Sequence, residues 1–161
     1  MAQLPILGKL ETQLKEARKE LNVDIPQALK TAMAHGDLSE NAEFKAAKER
    51  QAFLESRVSQ LQKRISDITS IDLSRIPKDR SGLGSTLHLR DLNSGEEKQY
   101  RLVFPEEVNP EEGKISGASP VGRSLINKQE GDEITIPLPD ERKEYEVIKI
   151  ITIHDESAQL D

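Results

Sequence analysis

Apolar residues recur at alternating steps of three and four through the first half of the chain. Leu7, Leu10, Leu14, Ala17 and Leu21 form one run; Phe44, Ala47, Gln51, Leu54, Val58, Leu61, Ile65 and Ile68 form a second, with one polar break at Gln51. This is the seam spacing of a coiled coil, so each run predicts a helix that buries one stripe. The first run is interrupted at Asn22-Val23-Asp24-Ile25-Pro26. Pro26 lacks a backbone donor and predicts a break or kink there. A further helical piece then carries Ile25, Ala28, Leu29, Ala32 and Met33 onward. The return helix is expected from about 38 to about 71, roughly 50 Å at 1.5 Å per residue. Two helices of that length make a stalk, because alone they enclose no globular core.

The period then changes. Residues 71–84 hold Pro77, Gly82 and Gly84 among charges and predict a linker. Residues 85–92 alternate, with Leu87 and Leu89 on one face and Leu92 a further candidate. Asn93-Ser94-Gly95 predicts a turn into a partner strand over 98–104. An acidic loop or short helix is expected over 105–113, and a short strand over 114–116. Ser119-Pro120 predicts the capped start of a short helix through Leu125 and Ile126. Strands over 133–138 and from Tyr145 to 153 complete a small antiparallel sheet. The expected class is α+β: an antiparallel helical coiled-coil hairpin over 1–75, with its tip at 36–43, and a sheet domain with one short helix over 76–161.

Composition narrows the function. Aromatic residues make up 3% of the 161 residues and charged residues 32%, with no Trp, which suits an elongated helical part better than one compact globule. The absence of Cys excludes disulfides and thiolate zinc sites. No apolar run is long enough to cross a membrane, and no secretory signal is expected, so a cytoplasmic location is. The net charge of −6 argues against a protein that coats nucleic acid. Residues 1–75 carry 12 Lys and Arg against 11 Asp and Glu, whereas residues 76–161 carry 11 against 18. Any nucleic-acid contact therefore belongs to the first half, and the acidic second half points to a protein partner.

The candidate chemistry lies between the two helical runs, at Gly36-Asp37-Leu38-Ser39-Glu40-Asn41-Ala42-Glu43-Phe44. Gly36 can end a helix in a left-handed conformation. Asp37 can cap the next helix, with Glu40 facing back from the third helical position. The same string also crowds three carboxylates, Asp37, Glu40 and Glu43, at an exposed turn. Local sequence leaves both readings open. Lys45, Lys48 and Arg50 follow, and Arg50, Arg57 and Arg64 share a face at steps of seven. They read either as a solvated face or as a weak basic stripe guiding RNA. No aromatic residue is expected to interleave with them, which argues against base stacking. Phe44 is assigned to the seam, and His88 to a structural place among leucines; His154 is expected at a frayed end.

The string from Gly36 to Phe44, with Ala46-Ala47-Lys48-Glu49 after it, closely resembles the tip motif of the bacterial Gre transcript cleavage factors (GreA/GreB), with Phe44 where that family usually has Tyr. Gly113-Lys114-Ile115-Ser116, Ser119-Pro120-Val121-Gly122-Arg123-Ser124-Leu125-Ile126 and Gly131-Asp132 resemble the Gre C-terminal domain, an FKBP-like fold. Val103-Phe104-Pro105-Glu106-Glu107 and Ile136-Pro137-Leu138-Pro139 look closer to Rnk, a related regulator of RNA polymerase that lacks the cleavage tip.

The resemblance implies a transcription elongation factor that is not itself an enzyme. Its hairpin enters the secondary channel of RNA polymerase and stimulates the polymerase's own cleavage of backtracked RNA. By the same resemblance, Asp37 and Glu40 help hold a Mg²⁺ shared with the polymerase active site, supported by Ser39 and Asn41. Lys45, Lys48 and Arg50 lie near the RNA 3′ end. Ser119 and Pro120 dock on the β′ rim of the channel. No cofactor is expected in isolation, since two or three exposed carboxylates cannot complete the six-ligand shell of Mg²⁺. A monomer is expected. The alternatives are a non-cleaving secondary-channel regulator of the Rnk kind, a prolyl isomerase and a plain coiled-coil scaffold. The isomerase needs an aromatic pocket, for which only Tyr100, Phe104 and Tyr145 are available.

Overall fold

The computed structural model describes residues 4–36 and 41–155. The chain divides into two compact units, one running to Ile71 and the other beginning at Asp72. Asp72 belongs to the second unit by its local bonding: its carboxylate accepts the amide of Ser74 at 3.0 Å and caps a 3₁₀ turn, Leu73–Arg75. Among the described residues no helix is long and apolar enough to cross a membrane.

In the first unit, α1 (Pro5–Lys19) runs into a π turn (Glu20–Asp24) and then α2 (Ile25–Met33), and α3 (Ala42–Thr69) packs against all three. Pro5 opens α1, where a missing N–H costs nothing. On α3 the buried side chains are Ala47, Leu54, Leu61 and Ile68, one per heptad, with Phe44, Gln51, Val58 and Ile65 half-buried between them. The expected seam is thus the packed face. Ile6, Leu7, Leu10, Ala17, Ile25 and Ala32 fill the facing side.

Of the break or kink expected at Pro26, the break is absent. Glu20, Asp24 and Ile25 all keep right-handed helical backbone, and Ile25 N–H donates to the Glu20 carbonyl five residues back. The wider turn takes up the disturbance at Pro26 without interrupting the helix.

The second unit is a five-stranded sheet of order β3-β2-β1-β5-β4, formed by β1 (Thr86–Asp91), β2 (Glu97–Val103), β3 (Lys114–Ser116), β4 (Glu133–Pro137) and β5 (Arg142–Ile151). β1, β2, β4 and β5 pair antiparallel, with Leu87 opposite Tyr100 and Ile150, and Ile134 opposite Tyr145. The purely antiparallel sheet expected from sequence needs one correction: β3 runs parallel to β2. Residues 104–113 make two Pro-initiated 3₁₀ turns, Pro105–Glu107 and Pro110–Glu112, and bring the chain back beside β2 in the same direction. A tight hairpin turn would have reversed it. Gly113 closes this path at φ +75°, where an added Cβ would lie 2.5 Å from the Gln99 carbonyl oxygen.

Leu87, Leu89, Leu102, Ile134, Ile136, Tyr145 and Val147 form the core, closed by Leu125 from α4 (Pro120–Leu125). Tyr145 and Phe104 are buried, so these rings belong to the interior. Leu92 is largely exposed; Asp91 occupies the buried position at the end of β1. His154 is not frayed: its Nε2 lies 2.8 Å from the Ile76 carbonyl.

Candidate functional site

The hairpin turn is built by residues on both sides of the tip. The inbound helix ends at Met33 with Ala34 as its C-cap, and Gly36 follows two residues on at φ +122°, in the region that favours glycine. Asn41 has extended backbone, and its Oδ1 accepts the amides of Glu43 at 2.9 Å and Phe44 at 3.1 Å. Asn41 is therefore the N-cap of α3. The expected capping box put that role on Asp37 and started the helix near residue 38. Asp37, Leu38, Ser39 and Glu40 lie outside the described residues. The described helix takes its cap from Asn41, which accepts the amides of Glu43 and Phe44.

Asn41 also reaches across the turn. Its Nδ2 donates to the Ala32 carbonyl at 2.7 Å, and that carbonyl accepts the His35 amide at 3.1 Å as well. A second tie joins His35 Nδ1 to Glu43 Oε2 at 3.2 Å on the exposed side. Glu43, the third of the clustered acids, is thus engaged by His35. Among the described residues no group of three His, Asp or Glu side chains could hold a metal ion.

The basic positions behave differently from one another. Lys45 and Lys48 are exposed, and the Lys48 ammonium sits 5.9 Å from the centre of the Phe44 ring. Phe44 is half-buried at the start of the seam. Arg50 makes a two-pronged contact with Glu20, Nε to Oε2 at 2.7 Å and Nη2 to Oε1 at 2.9 Å. Those hydrogen bonds hold the Glu20 carboxyl below its ordinary range and push the Arg50 guanidinium up. Arg57 donates to Gln13 at 3.3 Å. Arg50 and Arg57 therefore bridge the two sides of the hairpin. The expectation that no aromatic interleaves them is wrong: Phe53 lies between them, 56% exposed, with the Arg50 guanidinium carbon 5.0 Å from its ring centre.

In the second unit Ser119 caps α4, its Oγ accepting the Gly122 amide at 3.0 Å and donating to the Ser116 carbonyl at 2.7 Å. Pro120 is exposed at the first helical position. Gly122 is buried, and any side chain there would strike the Ser116 carbonyl. The result is an exposed proline on a tightly seated helix start.

Two family models match the chain. One, described as transcription elongation factor, N-terminal, covers residues 7–69, and the other, transcription elongation factor, GreA/GreB, C-term, covers residues 76–152. A transcription elongation factor GreA from Nitratidesulfovibrio vulgaris (strain DP4) is 41% identical over 154 residues, spanning 93% of this chain and 94% of that protein. One from a Nitratiruptor species is 44% identical over 135 residues, spanning 84% and 83%. A crystal structure of GreA factor homolog 1 of Thermus thermophilus aligns with TM-score 0.42 at 30% identity, over 89% of this chain and 93% of that one. The chain belongs to the GreA/GreB family of transcription elongation factors.

Proposed function

We propose that this protein stimulates RNA polymerase to cleave its own backtracked RNA. It inserts the helical hairpin into the secondary channel and delivers Asp37 and Glu40 to the active site. The observation that carries this reading is the cap at Asn41. A residue other than the two acids caps α3, which supports a role for Asp37 and Glu40 other than capping. Glu43 is held by His35, which leaves Asp37 and Glu40 as the pair to be delivered.

The donor chemistry suits a shared Mg²⁺. This ion is commonly bound by one or two carboxylates with phosphate oxygens and water, not by a complete protein cage. Asp37 and Glu40 offer two hard oxygen donors and no complete site, so the polymerase and its RNA supply the rest. Bound there, the metal would polarise a phosphoryl oxygen or activate water. The chain's own work is placement. Asn41 ties the start of α3 to the end of α2, and Ser39 supports the acids. Lys45 and Lys48 face solvent on α3 and attract the phosphates of the RNA 3′ end.

The second unit docks on the polymerase β′ rim through Ser119 and Pro120. Support comes from the exposed proline on a helix start fixed by the Ser119 cap. The protein acts as a monomer in the cytoplasm, with catalysis left to the polymerase. The test is incubation with a stalled, backtracked elongation complex, reading RNA length on a gel. Shortened RNA that depends on the factor is expected; unchanged RNA length at saturating factor would exclude the function.

A further inference from the structure

The buried residues of the inbound helix carry a register fault. Leu10 and Ala17 are seven apart, and so are Ile25 and Ala32, but Ala17 and Ile25 are eight apart. On α3 the heptad from Ala47 to Ile68 is unbroken. One extra residue must therefore be absorbed between Ala17 and Ile25, and the π turn Glu20–Asp24 lies there. In an α-helix each residue turns the chain by about 100°. Without the wider turn, Ile25 and Ala32 would rotate by that amount out of the seam, and the hairpin turn would rotate with them.

None of the π-turn residues is fully buried, although Glu20 and Leu21 are half-buried, so packing holds it only in part. Polar contacts add to it. Lys19 and Asp24, five apart, pair at 3.6 Å along it. Its first residue, Glu20, receives both prongs of the Arg50 guanidinium from α3, and the Phe53 ring supports that guanidinium from the side. Two parallel N–H···O bonds fix orientation as well as distance.

We propose that Glu20 and Arg50 form a clamp that holds the π turn and thereby sets the angle at which the hairpin presents its acidic tip. Arg50 is then a positioning residue and not an RNA contact. The clamp stands on the hairpin alone, whereas its consequence for cleavage rests on the function proposed above.

Glu20→Gln, Arg50→Gln and the exchanged pair Glu20→Arg/Arg50→Glu separate the two roles. Hydrogen exchange at the Ile25 amide, which donates the π-turn bond to Glu20, is read in the full-length protein without polymerase. Cleavage of backtracked RNA at saturating factor and polymerase affinity by competition are read separately. Both single variants are expected to exchange faster at Ile25 and to lower the saturated cleavage rate about tenfold, inside the roughly hundredfold range of a 1 Å misplacement. Affinity should stay within about twofold, and the exchanged pair should recover both exchange and cleavage. Normal or faster cleavage by Glu20→Gln beside a defective Arg50→Gln would overturn the proposal, because it assigns the arginine to RNA. Unchanged exchange at Ile25 in both single variants would also overturn it. If the unmodified protein stimulates no cleavage, the positioning role falls with the function, and the exchange result still decides the clamp.

Discussion

Asn41 Nδ2 donates to the carbonyl of Ala32 at 2.7 Å, while Oδ1 of the same side chain caps α3. One amide group therefore ends one helix and begins the next. Asn41→Ala removes both roles and is expected to cost about 1 kcal/mol for the cap and about 1 kcal/mol for the cross-turn bond. Asn41→Asp keeps an acceptor for the cap and loses only the donor, so its loss should be near half. Urea unfolding followed by helical circular dichroism distinguishes the two. No loss in Asn41→Asp would mean that the bond to Ala32 contributes nothing, and losses equal to those of Asn41→Ala would mean the same of the cap.

Asp37→Asn and Glu40→Gln remove charge with little change in size. With the cap supplied by Asn41, neither should shift the unfolding midpoint measurably, and both should abolish factor-dependent RNA cleavage while polymerase affinity is kept. A stability loss near 1 kcal/mol with cleavage intact would return these acids to a capping role.

The seam is legible because its information is local. Leu54, Leu61 and Ile68 announce their common face by spacing alone, and the turn at Asn93-Ser94-Gly95 by residue type. Other features depend on distant partners. Asp37 and Asn41 are both good cap residues, and what singles out Asn41 is the Ala32 carbonyl nine positions away. β3 is readable as a strand, but its direction depends on the path of residues 104–113. The π turn has a readable trace, two successive steps of four from Ala17 through Leu21 to Ile25, yet Pro26 suggests a break instead. Phe53 stands off the seam, so heptad spacing carries no sign of its contact with Arg50. The chemistry of Asp37 and Glu40 comes from the string itself, through its resemblance to the Gre tip.

Pro120 and Gly122 should respond in opposite ways. Pro120 is exposed, so Pro120→Glu is expected to leave unfolding unchanged and weaken polymerase binding in a competition assay. Gly122→Ala drives a methyl group into the Ser116 carbonyl and should destabilise the second unit by about 1–3 kcal/mol. Unaltered affinity for Pro120→Glu would remove this surface from the docking proposal.

Acid should weaken both units. The Glu20 carboxyl is held below its ordinary 4.5 chiefly by hydrogen bonds from Arg50. The Asp91 carboxyl is held below 3.8 chiefly by the amides of Asn93 and Ser94, with Lys143 adding to it from 3.9 Å. A depressed value means that the folded state binds fewer protons than the unfolded one. Each contribution is complete above the ordinary value and is lost as pH falls through the folded one. Stability should therefore be flat near neutrality and fall below about pH 4.5, with Glu20→Gln and Asp91→Asn each flattening the acid limb. Unfolding midpoints across that range provide the check, and an unchanged slope in either variant would show that its carboxylate gains nothing on folding.

The last expectation concerns metal. Asp37 and Glu40 provide at most a few of the roughly six oxygen ligands that Mg²⁺ requires, so the protein alone should show no tight Mg²⁺ binding by calorimetry and no nuclease activity. With polymerase and backtracked RNA present, cleavage should require Mg²⁺. Added factor should lower the concentration giving half-maximal rate, because two further carboxylates raise affinity for an ion the polymerase holds loosely. The same negative charges repel RNA phosphates unless a cation lies between them, so a purely electrostatic effect of the acids would slow the reaction. Asp37→Asn should therefore return the Mg²⁺ midpoint to its factor-free position even where some cleavage survives. An identical midpoint with and without the unmodified factor would refute metal recruitment and leave the two acids, at most, a role in positioning water.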